Sequence, residues 1–190
     1  MNGTKLIVID DFFSEPDKVR TWALSQEYFN TVDLTEMTKN VSVNDRNYFP
    51  GFRTLPISQL NNSVTVPIMK AIAGIGKSVF AISGDLEIVS SFQITLPHTY
   101  IPAASRVHTD NLSGIGKSVV MVASVVYLSP NPPENSGTSL YTGKTRTDTI
   151  SNVYNRLIMY RADIPHAADD YFGTDKQTGR LTLSSFILVS

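Results

Sequence analysis

The segments Arg-Val-His-Thr-Asp at 106–110 and Asp-Ile-Pro-His at 163–166 carry the residue types best suited to hold a metal ion. Residues i and i+2 of a β-strand face the same way, so His108 and Asp110 are expected to point side by side. His166, arriving from a strand far along the chain, would add a second imidazole. Two histidines and one carboxylate cover one side of a metal and leave the other side open to substrates. These three residues are therefore candidates for a metal centre, although a His-x-Asp pattern alone is more often a surface turn, and the rest of the sequence has to decide.

Composition limits what kind of metal centre this can be. The chain of 190 residues has no cysteine, which excludes disulfides, thiolate zinc sites, iron–sulfur clusters and cysteine nucleophiles. Any metal must therefore be bound through nitrogen and oxygen. The chain has three histidines, and the one outside the predicted centre, His98, is expected to lie in a turn.

Charge and hydropathy argue against several classes of partner. A net charge of -1 with 17% charged residues gives no electrostatic reason to expect a nucleic acid or a membrane surface as a partner. The chain lacks an apolar run of about 18 residues, and its first residues lack the apolar core of a signal peptide. We expect a soluble, cytoplasmic protein, and a hydrophobic content of 42% suits one domain over 1–190.

The first half of the chain predicts helices that follow one short strand. We expect a strand at 5–10, a helix with Ser14 as its N-cap that runs to about Gln26, and a second helix at 65–80. Val19, Trp22, Ala23 and Leu24 are expected to face the core. Residues 28–55 show no periodicity and predict a long loop, which could serve as a substrate lid or form a surface turn.

The second half of the chain is β-rich. Predicted strands are short and separated by turns, which favours a sandwich, a barrel or a double-sheet jelly roll. Because helices come first and strands later, an α+β arrangement is expected, with the helices bracing one sheet. The predicted strands are 87–96, 105–110, 117–128, 138–141, 156–160, 166–168 and 179–189.

The order of motifs resembles the 2-oxoglutarate- and iron(II)-dependent oxygenases, in particular their prolyl-hydroxylase-like branch. The resemblance covers most of the chain and is least clear over 28–85. The motifs that carry it are IVIDDFFSEPDKVRTWAL (7–24), VHTDNLSGIG (107–116), VVYLS (125–129), SGTSLYTG (136–143), NRLIMYRADIPHAA (155–168) and GRLTLSSFI (179–187).

The resemblance implies a fold and a set of roles. The fold would be α+β, a double-stranded β-helix (a jelly-roll, cupin-like core) with N-terminal bracing helices. His108, Asp110 and His166 would be the catalytic iron(II) ligands. The cosubstrate 2-oxoglutarate would be bound by Arg180, with Thr182 and Tyr127 as further contacts. Arg180 lies 14 residues after His166, which is longer than the commoner spacing in the family.

The implied activity is that of a dioxygenase. With O₂ it would decarboxylate 2-oxoglutarate to succinate and hydroxylate a C–H bond of a substrate, by analogy an amino-acid or peptidyl side chain. The three metal-ligand candidates could instead form a structural polar cluster or hold zinc. A different class of function is a non-catalytic jelly-roll module that binds a small anionic or sugar ligand through Arg180, Arg106 and Arg161.

Overall fold

The computed structural model describes residues 6–38, 49–60, 63–99, 106–110, 113–115 and 118–189. The helices are α1 (Pro16–Ser25), α2 (Thr31–Thr38) and α3 (Thr65–Phe80). The strands are β1 (Leu6–Ile9), β2 (Phe52–Arg53), β3 (Leu86–Thr95), β4 (Ser113–Ile115), β5 (Ser118–Tyr127), β6 (Thr138–Thr142), β7 (Thr145–Ile150), β8 (Leu157–Arg161), β9 (His166–Ala168) and β10 (Arg180–Val189).

The strands form two antiparallel sheets. The larger has the order β1-β8-β5-β10-β3-β2, with β4 paired to β5, and the smaller has the order β7-β6-β9. The long strands β3, β5 and β10 are rich in Val, Ile, Leu and Phe, which suit the pleated surface of a buried sheet. They lie side by side at the centre of the larger sheet, where each has a strand paired on both sides.

The helices α1 and α3 cover one face of the larger sheet. Apolar side chains of α3 recur at helical spacing, with Ile68 and Ile72 buried against the sheet. Gly76 lets α3 approach β10 closely, because a Cβ at this position would lie 2.3 Å from the Cδ1 of Ile187. On α1, the indole of Trp22 meets Phe92 edge to face at 5.6 Å. This helical layer braces the sheet from behind.

The smaller sheet packs against the opposite face. One apolar cluster joins Ala123, Tyr127 and Tyr160 of the larger sheet to Leu140 and Ile150 of the smaller one. The order of layers is therefore helices, larger sheet, smaller sheet. Side chains from both sheets line one cavity between them, and the three metal-ligand candidates are among these side chains.

Several sequence predictions are confirmed and others are wrong. The helix predicted at 65–80 is α3, and the first helix ends within a residue of Gln26. Ser14 is not its N-cap, because Glu15 holds that position without a side-chain cap bond. The helix α2 and the strands β2, β4 and β7 were not predicted.

No helix in the described part of the chain is long and apolar enough to cross a membrane.

Two segments near the site also differ from expectation. Residues 106–110 do not form a strand, because His108 makes a single isolated bridge and the residues before it bend. Part of the predicted 28–55 loop, 39–48, lies outside the described residues. The rest is not one loop, because α2 and β2 lie within it, Phe29 pairs with Arg53, and β2 extends the larger sheet along β3.

Candidate active site

His108, Asp110 and His166 meet at one point, as the sequence predicted. One ligand atom of each lies within 4.8 Å of the others. The carboxylate of Asp110 is 3.2 Å from Nε2 of His166 and 3.6 Å from Nε2 of His108. The two imidazole rings are 4.5 Å apart between centroids. Two imidazoles and a carboxylate therefore converge from two distant segments.

Backbone hydrogen bonds hold the two segments in register. His108 N donates to the carbonyl of His166 at 3.1 Å, and His166 N donates back to the carbonyl of His108 at 2.9 Å. Asp110 N donates to the carbonyl of Ala162 at 2.8 Å. The position of each side chain is therefore set by main-chain pairing with β9 and the turn before it, and a full strand at 106–110 is not required.

A hydrogen bond and a ring contact fix the orientation of the His166 imidazole. Its Nδ1 lies 3.0 Å from the carbonyl of Ile164, which can only accept, so Nδ1 carries a hydrogen and Nε2 faces Asp110. The ring of Tyr160 packs against it at 4.6 Å. Metal-bound histidines commonly donate their second ring nitrogen in this way, which fixes the tautomer and the ring plane.

The protonation equilibria of the buried pair reflect their contact. Burial raises the pKa of Asp110, but the hydrogen bond from His166 and the charges of His166, His108 and Arg53 outweigh it and hold the pKa below its ordinary value. Burial lowers the pKa of His166, but the hydrogen bond and charge of Asp110 hold it above its ordinary value. The carboxylate is thus kept as an anion.

This donor set fits a divalent transition metal. Imidazole nitrogens and a carboxylate oxygen are ligands for iron(II), and the same ligands accept zinc or nickel. The direct side-chain partners of Asp110 within the described residues are the two histidines, so a divalent cation bound between the three side chains would be neutralised in part by its carboxylate. The observed geometry therefore suits a metal centre better than a purely structural polar cluster.

A cavity of about 100 Å³ opens from these three residues and runs between the sheets. The strand β10 contributes alternate residues to it, Arg180, Thr182, Ser184 and Phe186, as its period of two requires. Residues from the other elements that line it include Arg53, Gln93, Arg106, Thr138, Tyr160 and Tyr171. The cavity thus joins a metal-binding cluster to several cationic and hydroxyl groups.

Arg180 is the buried cation of this cavity. Only 6% of its surface is exposed, although the residue begins a strand. Its Nε donates to the carbonyl of Ser136 at 3.0 Å, and its Nη2 donates to the carbonyl of Gly137 at 3.3 Å. These bonds fix the guanidinium plane, and no ion pair to Arg180 forms within the described ranges. A buried cation of this kind suits an anionic ligand.

The other two predicted cosubstrate residues lie beside Arg180. Thr182 is buried and lines the cavity on the same face of β10. Tyr127 pairs with Thr182 across β5 and β10, and its ring lies 5.5 Å from the guanidinium carbon of Arg180. The hydroxyl of Tyr127 donates to Thr138 at 2.7 Å. Tyr127 therefore supports the cation and a lining hydroxyl, and direct contact with a cosubstrate stays a prediction.

The remaining charged candidates separate into two groups. Arg106 lines the cavity mouth and is exposed, whereas Arg161 is exposed and paired with Asp163 at 2.6 Å, away from the cavity. His98 lies in an exposed turn, as expected. The side chain of Asp169 is largely covered and accepts a hydrogen bond from Ser139.

Sequence reasoning missed Arg53 and Gln93. Both belong to the cavity because Arg53 pairs with Gln93, and Gln93 with Thr182, in one row across β2, β3 and β10. Such a row is a property of strand register and leaves no local pattern in a two-residue strand. The nearest signal in the sequence is a Pro-Gly pair flanked by aromatic residues, YFPGFR at 48–53, which indicates a turn and not a cavity wall.

Sequence comparison identifies one family. A family model described as "Family of unknown function (DUF6445)" matches residues 1–150. A search of curated proteins by sequence returned no match.

Comparison with solved structures finds the same fold in 2-oxoglutarate/iron(II) oxygenases. A viral collagen prolyl hydroxylase of Paramecium bursaria Chlorella virus-1, in its 2-oxoglutarate complex, has a TM-score of 0.63 at 16% identity, over 100% of this chain and 98% of that one. HygX of Streptomyces hygroscopicus, with nickel, 2-oxoglutarate and hygromycin B bound, has a TM-score of 0.66 at 13% identity, over 99% and 84%. A Pseudomonas putida prolyl-4-hydroxylase gives 0.60 at 14%, over 98% and 93%. The predicted double-stranded β-helix fold is confirmed.

Proposed function

The chain belongs to DUF6445, a family of unknown function, and from its site we propose that it is a 2-oxoglutarate- and iron(II)-dependent dioxygenase that hydroxylates a C–H bond. The observation that carries the proposal is one cavity in which a two-histidine, one-carboxylate cluster and the buried Arg180 both take part. Neither feature alone selects this chemistry. Residues 1–190 would then form a single domain of this class.

His108, Asp110 and His166 would hold iron(II). When iron(II) and 2-oxoglutarate are bound, they supply the oxidative chemistry, in which 2-oxoglutarate is decarboxylated to succinate and a C–H bond is hydroxylated with O₂. The chain supplies geometry. Because Nδ1 of His166 is hydrogen-bonded to the carbonyl of Ile164, its Nε2 would be the nitrogen that binds the metal, and Asp110 would offer the one negative charge.

Arg180 and Thr182 would bind the carboxylate of 2-oxoglutarate that is remote from the metal. The guanidinium is already fixed by the carbonyls of Ser136 and Gly137, so little side-chain entropy is lost when the ligand binds. Thr182 can add a hydroxyl hydrogen bond from the same face of β10. Phe186 and Tyr160 line the cavity walls between the sheets and limit the entry of water.

An anaerobic titration tests the metal and the cosubstrate separately. Metal-free protein should bind iron(II), and subsequent addition of 2-oxoglutarate should give a visible charge-transfer absorption that needs both. His108→Ala should abolish it with an unchanged circular dichroism spectrum. Arg180→Gln should keep iron binding and weaken 2-oxoglutarate binding about 10- to 100-fold, because a charge-assisted hydrogen bond is lost.

Matched controls come from this chain. His98→Ala removes the histidine outside the site, and Arg161→Gln removes an exposed arginine that does not line the cavity. Both should titrate like the wild type. If iron binds without any cosubstrate-dependent change, the metal assignment stands and the 2-oxoglutarate assignment fails. If iron does not bind, a non-catalytic module that binds an anion through Arg180 is favoured.

A further inference from the structure

Arg53 is a cation in the cavity that the proposed metal and cosubstrate leave unused. Its Nε donates to Oε1 of Gln93 at 3.0 Å, and Nε2 of Gln93 in turn donates to the carbonyl of Pro50 at 2.7 Å. The ring of Phe49 covers one face of the guanidinium at 4.5 Å from the centroid. The side chain is thus held along one edge and on one face.

The opposite edge of this guanidinium carries Nη1 and Nη2. Within the described residues, neither nitrogen has a hydrogen-bond partner, and no carboxylate forms an ion pair with Arg53 within 4.0 Å. The residue lines the cavity. Two parallel N–H groups on a fixed planar group match a carboxylate in a bidentate arrangement.

Arg53 lies on the metal side of the cavity. It lines the cavity together with Asp110 and His166, and the charge of Asp110 acts on its guanidinium. In the sheet, Arg53 and Thr182 are separated by β3, which places their backbones about 10 Å apart at two strand spacings. The two guanidiniums therefore serve separate positions, and a group bound at Arg53 is close to the metal ligands.

Charge balance also leaves Arg53 without a counter-ion. In the proposed complex, the metal's two positive charges and Arg180 offset Asp110 and the two carboxylates of 2-oxoglutarate. Arg53 would remain as a desolvated cation, and burial already lowers its pKa to about 10, against the opposing influence of Asp110 and Tyr171. A third carboxylate would restore neutrality and its binding would offset the cost of burying the cation.

We propose, building on the proposed function, that Arg53 binds a carboxylate of the prime substrate through Nη1 and Nη2, and that this substrate is a small free carboxylic acid such as an unlinked amino acid. An internal residue of a peptide has no main-chain carboxylate to offer.

Binding of a minimal carboxylate tests this inference without turnover. Protein loaded with zinc, which accepts the same ligands and is redox-inert, is saturated with 2-oxoglutarate and titrated with propionate or with the uncharged propionamide. Binding is measured by saturation-transfer NMR on the probe. Propionate should bind saturably and propionamide should not. Arg53→Gln should weaken propionate at least tenfold and leave zinc and 2-oxoglutarate affinities unchanged, while the control Arg161→Gln behaves like the wild type.

Manganese(II) in place of zinc adds a test of position. Propionate bound at Arg53 should show strong paramagnetic broadening in the wild type and lose it in Arg53→Gln. The inference is overturned if propionate binds Arg53→Gln as well as the wild type, if propionamide binds equally, or if propionate does not bind the loaded wild type. It is also overturned if Arg53→Gln loses metal or 2-oxoglutarate affinity, because Arg53 would then position Asp110 or the cosubstrate.

The two proposals fail in distinguishable ways. If the wild type binds neither metal nor 2-oxoglutarate, the proposed function fails before the carboxylate is added, and the substrate class fails with it. If both bind normally and the carboxylate does not, only the inference about Arg53 is wrong.

Discussion

Gly137 occupies a position where one methyl group would disturb the proposed 2-oxoglutarate site at Arg180. A Cβ there would lie 2.0 Å from the carbonyl oxygen of Ile150, and the carbonyl of Gly137 itself accepts from Nη2 of Arg180. Gly137→Ala should move this backbone, lower stability by about 1–3 kcal/mol and weaken 2-oxoglutarate about tenfold. Calorimetry on metal-loaded protein measures both effects.

Gly74→Ala is the matched control for this substitution. Gly74 lies exposed on α3, and a Cβ there meets nothing within 4 Å. Its alanine variant should keep 2-oxoglutarate affinity and stability, or gain slightly in stability from a better helix former. If Gly137→Ala bound 2-oxoglutarate as tightly as Gly74→Ala, the carbonyl at 137 would not be what orients Arg180.

At the scale of elements, the turn before β10 sets where Arg180 begins its strand. Oδ1 of Asp175 accepts from Thr178 Oγ1 at 2.8 Å and from the backbone N of Thr178 and of Gln177 at 2.9 Å. Hydrogen bonds from the Thr178 side chain and then its backbone hold the pKa of Asp175 below its ordinary value. A lowered folded-state pKa stabilises the fold above the ordinary pKa, and this stabilisation is lost as pH falls through the folded value.

Asp175→Asn should therefore lower the melting temperature at pH 7, and the difference from the wild type should shrink steadily below about pH 4. Melting curves by circular dichroism across pH 2–8 measure this. Asp85→Asn is the control, because Asp85 is exposed and makes no side-chain hydrogen bond within the described residues. A wild-type to Asp175→Asn difference that is the same at every pH would contradict the charged role of this turn.

The elements also show what a sequence can and cannot predict. The apolar spacing of α3 is local, so its bounds at 65–80 could be predicted. The three metal-ligand candidates could be found because the chain has only three histidines and because the surrounding motifs follow one another in the order that the resemblance expects. Arg53 was missed because its place depends on the register of β2 on β3, which is a long-range property. The segment 105–110 was predicted as a strand, whereas its described residues, 106–110, turn before His108 and form one isolated bridge there.

At the scale of the whole molecule, the proposed ligands would tie the two sheets together. His166 lies on β9 of the smaller sheet, while Arg180 lies on β10 of the larger one and bonds to carbonyls at 136 and 137 beside β6. Metal and 2-oxoglutarate, bound to these residues, would therefore resist separation of the sheets. Ligands that bind only the folded state raise its stability by mass action.

Saturation with metal and 2-oxoglutarate, each at 100 times its Kd, should add about 2.7 kcal/mol per ligand to the free energy of unfolding. For a chain of this size, each such increment should raise the melting temperature by about 5–11 °C. A chelator should reverse both increments, because the cosubstrate needs the metal. His108→Ala should show neither, and Arg180→Gln should keep the metal increment and lose most of the second. Equal shifts in His108→Ala would mean that the metal binds elsewhere and does not join the two sheets at this site.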